Sequence, residues 1–117
     1  MDLKKYIRSI PDYHKKGILF RDITTLIKDE NAFAETINQI VERSKKYEFT
    51  KIAAIESRGF VFTSAVSYIL KKPFIMLRKK NKLPSDVHPI DFELEYGTAT
   101  IEVHKDSINI NEKIVTI

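Results

Sequence analysis

The residues of this chain with the most evident chemistry fall in short polar clusters between apolar segments. Glu56, Ser57, Arg58 and Gly59 follow the apolar run IAAI and precede a second apolar stretch. Ligands of open parallel sheets bind beyond the carboxyl ends of the strands, where loops enter helix N-termini. Backbone N–H groups, the helix dipole and the Arg58 guanidinium can converge on an anion at such a place. The same residues also fit a tight turn with Arg58 on the surface. Arg78, Lys79 and Lys82 follow an expected strand ending at Leu77. Arginine grips two phosphate oxygens at once and lysine adds a mobile point charge, a combination suited to holding a diphosphate and favouring its departure. A solvated basic loop would read alike. In Leu19, Phe20, Arg21 and Asp22, an aromatic face stands beside polar backbone, which is what a flat heterocycle needs for stacking and edge recognition. The competing reading is a core Phe20 next to a salt-bridged Arg21–Asp22 pair. Glu95, Tyr96 and Gly97 offer a carboxylate for proton movement, a ring to close over a site and a hinge, or a strand that ends in a turn.

The elements that must position these groups follow from periodicity. Residues 2–8 predict a short amphipathic helix ended by Pro11. Asp29 is a plausible N-cap for a helix reaching to about Tyr47, with Phe33, Ile37, Ile40 and Val41 on one apolar stripe. KIAAIE, residues 51–56, predicts a strand buried on both faces. Gly59 to Leu70 is apolar nearly all round and predicts a buried helix, and Pro73 to Leu77 repeats the buried-strand pattern. Strand, helix and strand at this spacing make a βαβ unit with the usual right-handed crossover. Thr98 to His104 alternates, with Ile101 and Val103 inward, as a half-exposed antiparallel strand would; Lys113 to Ile117 predicts a further core strand. The expected fold is an α/β sheet with an antiparallel accessory piece, in one domain over residues 1–117.

Composition narrows the function. With no cysteine, disulfides and thiolate metal sites are excluded, and a reducing cytoplasm is the default setting. The longest nearly apolar run, Phe60 to Leu70, is far short of the ~20 residues that span a bilayer, so no membrane association is expected. A net charge of +4 raises the question of nucleic acid. Most lysines are scattered and mixed with acidic residues as on a solvated surface; only Arg78 to Lys82 is dense, which suits a small polyanion. His14, His88 and His104 lack metal-ligand spacing, so no protein-held metal is expected, and neither a GxGxxG nor a P-loop is present.

GILFRDIT, ESRGF, RKKNKLP and LEYGT, in this order and spacing, resemble the adenine phosphoribosyltransferases, purine-salvage enzymes of the type I phosphoribosyltransferase class. The resemblance runs essentially end to end. It implies a parallel sheet core flanked by helices, with a small N-terminal and antiparallel hood. It implies the reaction of adenine with 5-phosphoribosyl 1-diphosphate to give AMP and diphosphate, with Mg2+ bound through the diphosphate, in a cytoplasmic homodimer. Phe20 would stack on adenine while the backbone at Leu19 and Arg21 reads its edge. Ser57, Arg58, Arg78, Lys79 and Lys82 would hold the diphosphate, and the peptide between Glu56 and Ser57 would be cis. Glu95 and Arg58 would be catalytic, and Tyr96 and Gly97 would belong to a mobile hood. The chain departs from the family in carrying Asn81 where Gly is usual and His14, Lys15 and Lys16 where prolines are common. The family's acidic pair and ribose-phosphate loop, which follow the strand matching KIVTI, are not among the 117 residues. The expectation is therefore a C-terminally truncated domain, weak or inactive as a transferase on its own. The alternative is a non-catalytic purine- or nucleotide-binding module, or a fragment that needs a second chain.

Overall fold

A computed structural model of the chain describes residues 1–13, 15–84, 86–94 and 97–117, with the side chains of 92–99 left aside. It divides into two compact units, Met1–Ile40 and Val41–Ile117.

In the first unit the expected helix over residues 2–8 is a single 3-10 turn, Leu3–Tyr6. The Asp2 carboxylate accepts the Lys4 N–H at 3.1 Å, but no residue of the turn is buried. A segment this short cannot recover the cost of helix nucleation without a packed face. The chain instead extends into β1 (Arg8–Pro11), which pairs antiparallel with β2 (Leu19–Asp22) in the register Arg8↔Asp22 to Pro11↔Leu19. Pro11 ends a strand of a two-stranded sheet, where its missing N–H does no harm. The loop between the strands is tied by the Asp12 carboxylate, which accepts the Gly17 N–H at 2.7 Å, and Gly17 has φ 88°, a conformation that glycine adopts readily. A short helix α1 (Thr24–Ile27) follows.

The long helix α2 (Glu30–Ser44) begins in the first unit and ends in the second. Asp29 caps it as expected: its Oδ1 accepts the N–H groups of Asn31 at 3.1 Å and Ala32 at 2.9 Å. Ile37, Val41 and Ser44 are buried at helical spacing, together with Ala32; Phe33 and Ile40 are half-buried.

The second unit is built on a mixed five-stranded sheet in the order β5-β6-β4-β3-β7. Its parallel part is β3 (Lys51–Ile55), flanked by β4 (Phe74–Lys79) and β7 (Ile114–Thr116). Ile52, Ala53 and Ala54 are buried, as their unbroken apolar run predicts. Helix α3 (Arg58–Leu70) crosses from β3 to β4. It is not buried all round: Thr63 and Val66 are inside, whereas Val61, Tyr68 and Ile69 are exposed. A helix lying on a sheet covers only one stripe, so the remaining apolar positions face away from the core. The β4 segment is likewise less enclosed than its composition suggests, with Met76 exposed.

β4 also continues beyond Leu77. Its parallel pairing ends at Ile55↔Leu77, and Arg78 and Lys79 pair antiparallel with Glu102 and Ile101. Those partners belong to β6 (Gly97–His104), which forms a hairpin with β5 (Val87–Leu94). The basic cluster therefore starts within a strand, at the point where it exchanges one neighbour for another. Pro89 lies in β5, the outer strand of the sheet, where proline is tolerated. Residues 100–104 of β6 are all half-buried, without the expected contrast between faces.

Glu112 fastens the segment before β7 to the start of β3. It accepts from the Lys51 ammonium at 2.8 Å, the Asn109 N–H at 2.7 Å and the Thr50 hydroxyl at 2.7 Å. The Lys51 hydrogen bond, then those from Asn109 and Thr50, bring its pKa from 4.5 to about 2. A depressed carboxylate pKa adds stability above the unfolded value and loses it as pH falls through the folded one. Urea unfolding should accordingly show wild-type stability declining between pH 4.5 and about pH 2, and Glu112→Gln, less stable at pH 7, should lose much of that dependence.

Candidate functional site

The carboxyl ends of β3 and β4 come together through one side chain. The Glu56 N–H donates to the Leu77 carbonyl at 3.0 Å, continuing the ladder one residue past β3. The Glu56 carboxylate then spans to β4: Oε2 accepts from Arg78 Nε at 3.2 Å and Nη2 at 3.1 Å, and Oε1 accepts the Lys79 N–H at 2.5 Å. The Glu56 side chain is 7% exposed and that of Arg78 is 32% exposed. Burial alone would raise the Glu56 pKa, but the Lys79 N–H and the Arg78 guanidinium together outweigh it and hold the carboxyl below its ordinary value. Arg78 also lies over the Phe60 ring, 5.9 Å from its centroid, a cation–π contact with the first turn of α3.

The Glu56–Ser57 peptide is cis, as the resemblance implies. Ser57 occupies the N-cap position of α3, and Arg58 is the helix's first residue. Gly59, the second residue of α3, lies close to the chain just past β7: a Cβ there would stand 3.1 Å from the Ile117 backbone oxygen, tighter than ordinary contact. The basic segment is a tight turn. The Lys82 N–H donates to the Lys79 carbonyl at 3.2 Å, and the Asn81 N–H donates to Glu102 Oε1 at 2.8 Å. Asn81 has φ 67°, a left-handed conformation that asparagine tolerates better than most residues. Of the residues expected to hold a diphosphate, Ser57, Arg58, Arg78 and Lys79 thus lie on the joined carboxyl ends of two parallel strands, and Lys82 closes the turn behind Lys79.

The heterocycle candidates lie in the first unit. Phe20 is half-buried on β2, its ring 4.8 Å from that of Tyr13 at 49°. Leu19 is exposed, and the β1–β2 ladder uses only one edge of β2. Arg21 and Asp22, a salt-bridged pair in the competing reading, each make a cross-strand contact. The Arg21 guanidinium bonds the Ser9 hydroxyl, and Asp22 takes Arg8, whose Nε lies at 2.9 Å. Adjacent residues of a strand point to opposite faces, which is why neighbours in sequence pair across the ladder instead. Asp22 also accepts the Thr24 N–H and hydroxyl, both at 2.9 Å. The Thr24 bonds first, with Arg8 adding to them against the effect of burial, keep the Asp22 carboxyl below its usual range. Asp12, Asp22 and Glu56 organise these segments without having been singled out for it, because their partners are distant in sequence or are backbone groups.

Gly97 starts β6 opposite Leu94, the last residue of β5, and Glu95 and Tyr96 lie outside the described residues. Among the described residues, no group of three or more His, Cys, Asp or Glu is placed to hold a metal ion. None of their helices is long and apolar enough to cross a membrane.

No protein-family model matches the chain. Individual proteins do. The chain is 76% identical over 117 residues to the adenine phosphoribosyltransferase of Pelagibacter ubique (strain HTCC1062), a match that covers 100% of this chain and 67% of that one. The crystal structure of adenine phosphoribosyltransferase from Thermoanaerobacter pseudethanolicus superposes with a TM-score of 0.91 at 41% identity, over 97% of this chain and 66% of that one. APRTase from Giardia lamblia, complexed with 9-deazaadenine, superposes with a TM-score of 0.92 at 34% identity, over 98% of this chain and 64% of that one. The chain thus spans about two thirds of the length of the proteins it matches. At 76% identity to a relative of which it covers 67%, the chain belongs to the adenine phosphoribosyltransferase family.

Proposed function

We propose that this chain carries the adenine and diphosphate subsites of an enzyme of purine salvage that converts adenine and 5-phosphoribosyl 1-diphosphate to AMP and diphosphate. The observation that carries the proposal is the Glu56 bridge, which gathers Arg78 and Lys79 beside the Ser57–Arg58 loop at the carboxyl ends of β3 and β4. That is where an open parallel sheet binds ligands, and four positive or N–H-rich groups there suit a leaving diphosphate.

In the reaction the bond from the ribose C1 to the diphosphate oxygen breaks, the oxygen leaves with the electron pair, and adenine N9 supplies the new bond to C1. Positive charge accumulates on the ribose and negative charge on the diphosphate. Arg58, Arg78, Lys79 and Lys82 would stabilise the latter in a preorganised site. Mg2+, brought by the diphosphate itself, neutralises part of its charge. Phe20 would hold the adenine plane so that N9 faces C1, with the backbone at Leu19 and Arg21 reading the edge. As N9 bonds to C1 the purine gives up its ring N–H proton, in the end to solvent, and Glu95 would assist that movement; Tyr96 and Gly97 would serve the closing hood. The proposal includes a homodimer in the cytoplasm; the exposed Val61, Tyr68 and Ile69 of α3 are residues of the kind that a subunit contact covers.

The test is a chimera in which this chain replaces the matching part of the Pelagibacter relative. Adenine-dependent release of pyrophosphate, with AMP identified by mass, is the expected result. A folded chimera without turnover, beside an active parent, overturns the proposal. In the active chimera, Phe20→Ala should raise the KM for adenine by about tenfold or more, since a base stacked on an aromatic ring contributes ~1–3 kcal/mol. The KM for the ribosyl diphosphate should change little.

A further inference from the structure

We infer that Glu56 is a positioning residue for diphosphate, acting through the Arg78 guanidinium and the Lys79 backbone; this inference rests on the proposed diphosphate site. A carboxylate in an anion-binding loop is unexpected on electrostatic grounds, because it repels the ligand and cancels part of the positive charge that attracts it. Its geometry supplies the reason for its presence. One oxygen takes both Nε and Nη2 of Arg78, which fixes the plane of the guanidinium and leaves Nη1 for a ligand. The other oxygen takes the Lys79 N–H, at the position where β4 has left β3 for β6. A strand end that exchanges partners has no parallel ladder beyond that point to hold it in line, and Glu56 replaces the ladder with a side chain. The Phe60 ring lies along the same guanidinium, so Arg78 is bounded by the cis loop on one side and by the first turn of α3 on another. Arginine held in one orientation loses less rotamer freedom when it binds, and that gain must exceed the repulsion from the carboxylate.

The two effects have opposite signs, which makes the inference testable on the 117-residue chain with inorganic pyrophosphate. If Glu56 were only a structural or repulsive charge, Glu56→Gln would bind pyrophosphate as well as wild type or better. If it positions Arg78, the variant binds about tenfold more weakly, the size of one charge-assisted hydrogen bond. The Arg78 Nε–H resonance should also shift in the free variant. In an Arg78→Lys background, Glu56→Gln should weaken binding by clearly less than in wild type, because one of the two groups through which it acts has gone. Should Glu56→Gln fail to fold, Glu56→Asp asks the same question: it keeps the charge but is too short to reach both Arg78 and Lys79, and should also weaken binding. Wild-type chain that does not bind pyrophosphate overturns the site and this inference together. Wild-type chain that binds, with Glu56→Gln binding equally or more tightly, overturns the inference and leaves the site standing.

Discussion

Arg78→Ala should weaken the binding of pyrophosphate by about tenfold to a hundredfold and lower stability at pH 7 by about 2 kcal/mol, the two losses having different origins. The first is the removal of a guanidinium that can contact two oxygens of the ligand. The second comes from Glu56, which is left with a 7% exposed carboxylate and only the Lys79 N–H to hold it. Breaking a fully buried pair costs about 3–5 kcal/mol; here the figure is reduced because Arg78 is 32% exposed and one hydrogen bond to Glu56 survives. The pH dependence identifies the cause. In wild type the Glu56 pKa lies below 4.5, so the pair adds stability above that value and loses it as pH falls through the lowered folded value. In the variant, burial without Arg78 favours the protonated acid, so its stability rises relative to wild type as the pH is lowered. Urea midpoints of the two proteins should therefore converge on acidification. A gap that is constant with pH would mean that lost packing on Phe60, and not the stranded carboxylate, is responsible.

The parts of this molecule that were legible in the sequence are those whose cause is local. IAAI is an unbroken apolar run, the pattern of a strand covered on both faces, and Ile52, Ala53 and Ala54 of β3 are buried as it predicts, while Ile55 at the strand's end is exposed. Asp29 caps α2 through groups two and three residues away. What escaped was decided at a distance. Nothing in RKKNKLP says that β4 runs on to Lys79, because the partner that extends it is β6, more than twenty residues downstream. Of β5 only the end was legible, as the strand ending in a turn that Glu95, Tyr96 and Gly97 allow; Pro89 within it argues against strands generally but not against an outer one. The candidate site divides in the same way. Its cationic and aromatic residues announce themselves by type, whereas the acidic residues that orient them do not. Asp22 stands next to Arg21 in sequence yet bonds Arg8, and Glu56 heads the ESRGF motif yet serves Arg78. Burial and pairing, not residue type, separate an organising carboxylate from a solvated one.

Ile52→Ala should lower stability by about 2–5 kcal/mol, the range for emptying a buried aliphatic site, with little change in pyrophosphate affinity per folded molecule. Ile52 is 1% exposed at the centre of the parallel sheet, between Phe74 of β4 and Val115 of β7. Its Cα partners lie on both sides, so neither neighbouring strand can close the gap without disturbing its own pairing, and collapse of the cavity is limited. A domain of this size has roughly 5–15 kcal/mol of stability in total, so the variant should remain folded at 25 °C but unfold at a distinctly lower urea concentration. Affinity should survive because the ligand-facing groups are fixed by a separate set of bonds. Glu56 is held by the Leu77 carbonyl, Arg78 and Lys79, all at the other end of β3 from the Ile52–Phe74 pair. Calorimetric titration of pyrophosphate into wild type and Ile52→Ala, each without denaturant and well below its melting temperature, separates the two properties. Equal affinity would mean that the sheet serves the site as a rigid mount whose stability can fall without moving the Glu56 bridge, and a loss matching the stability change would mean that bridge and core open together.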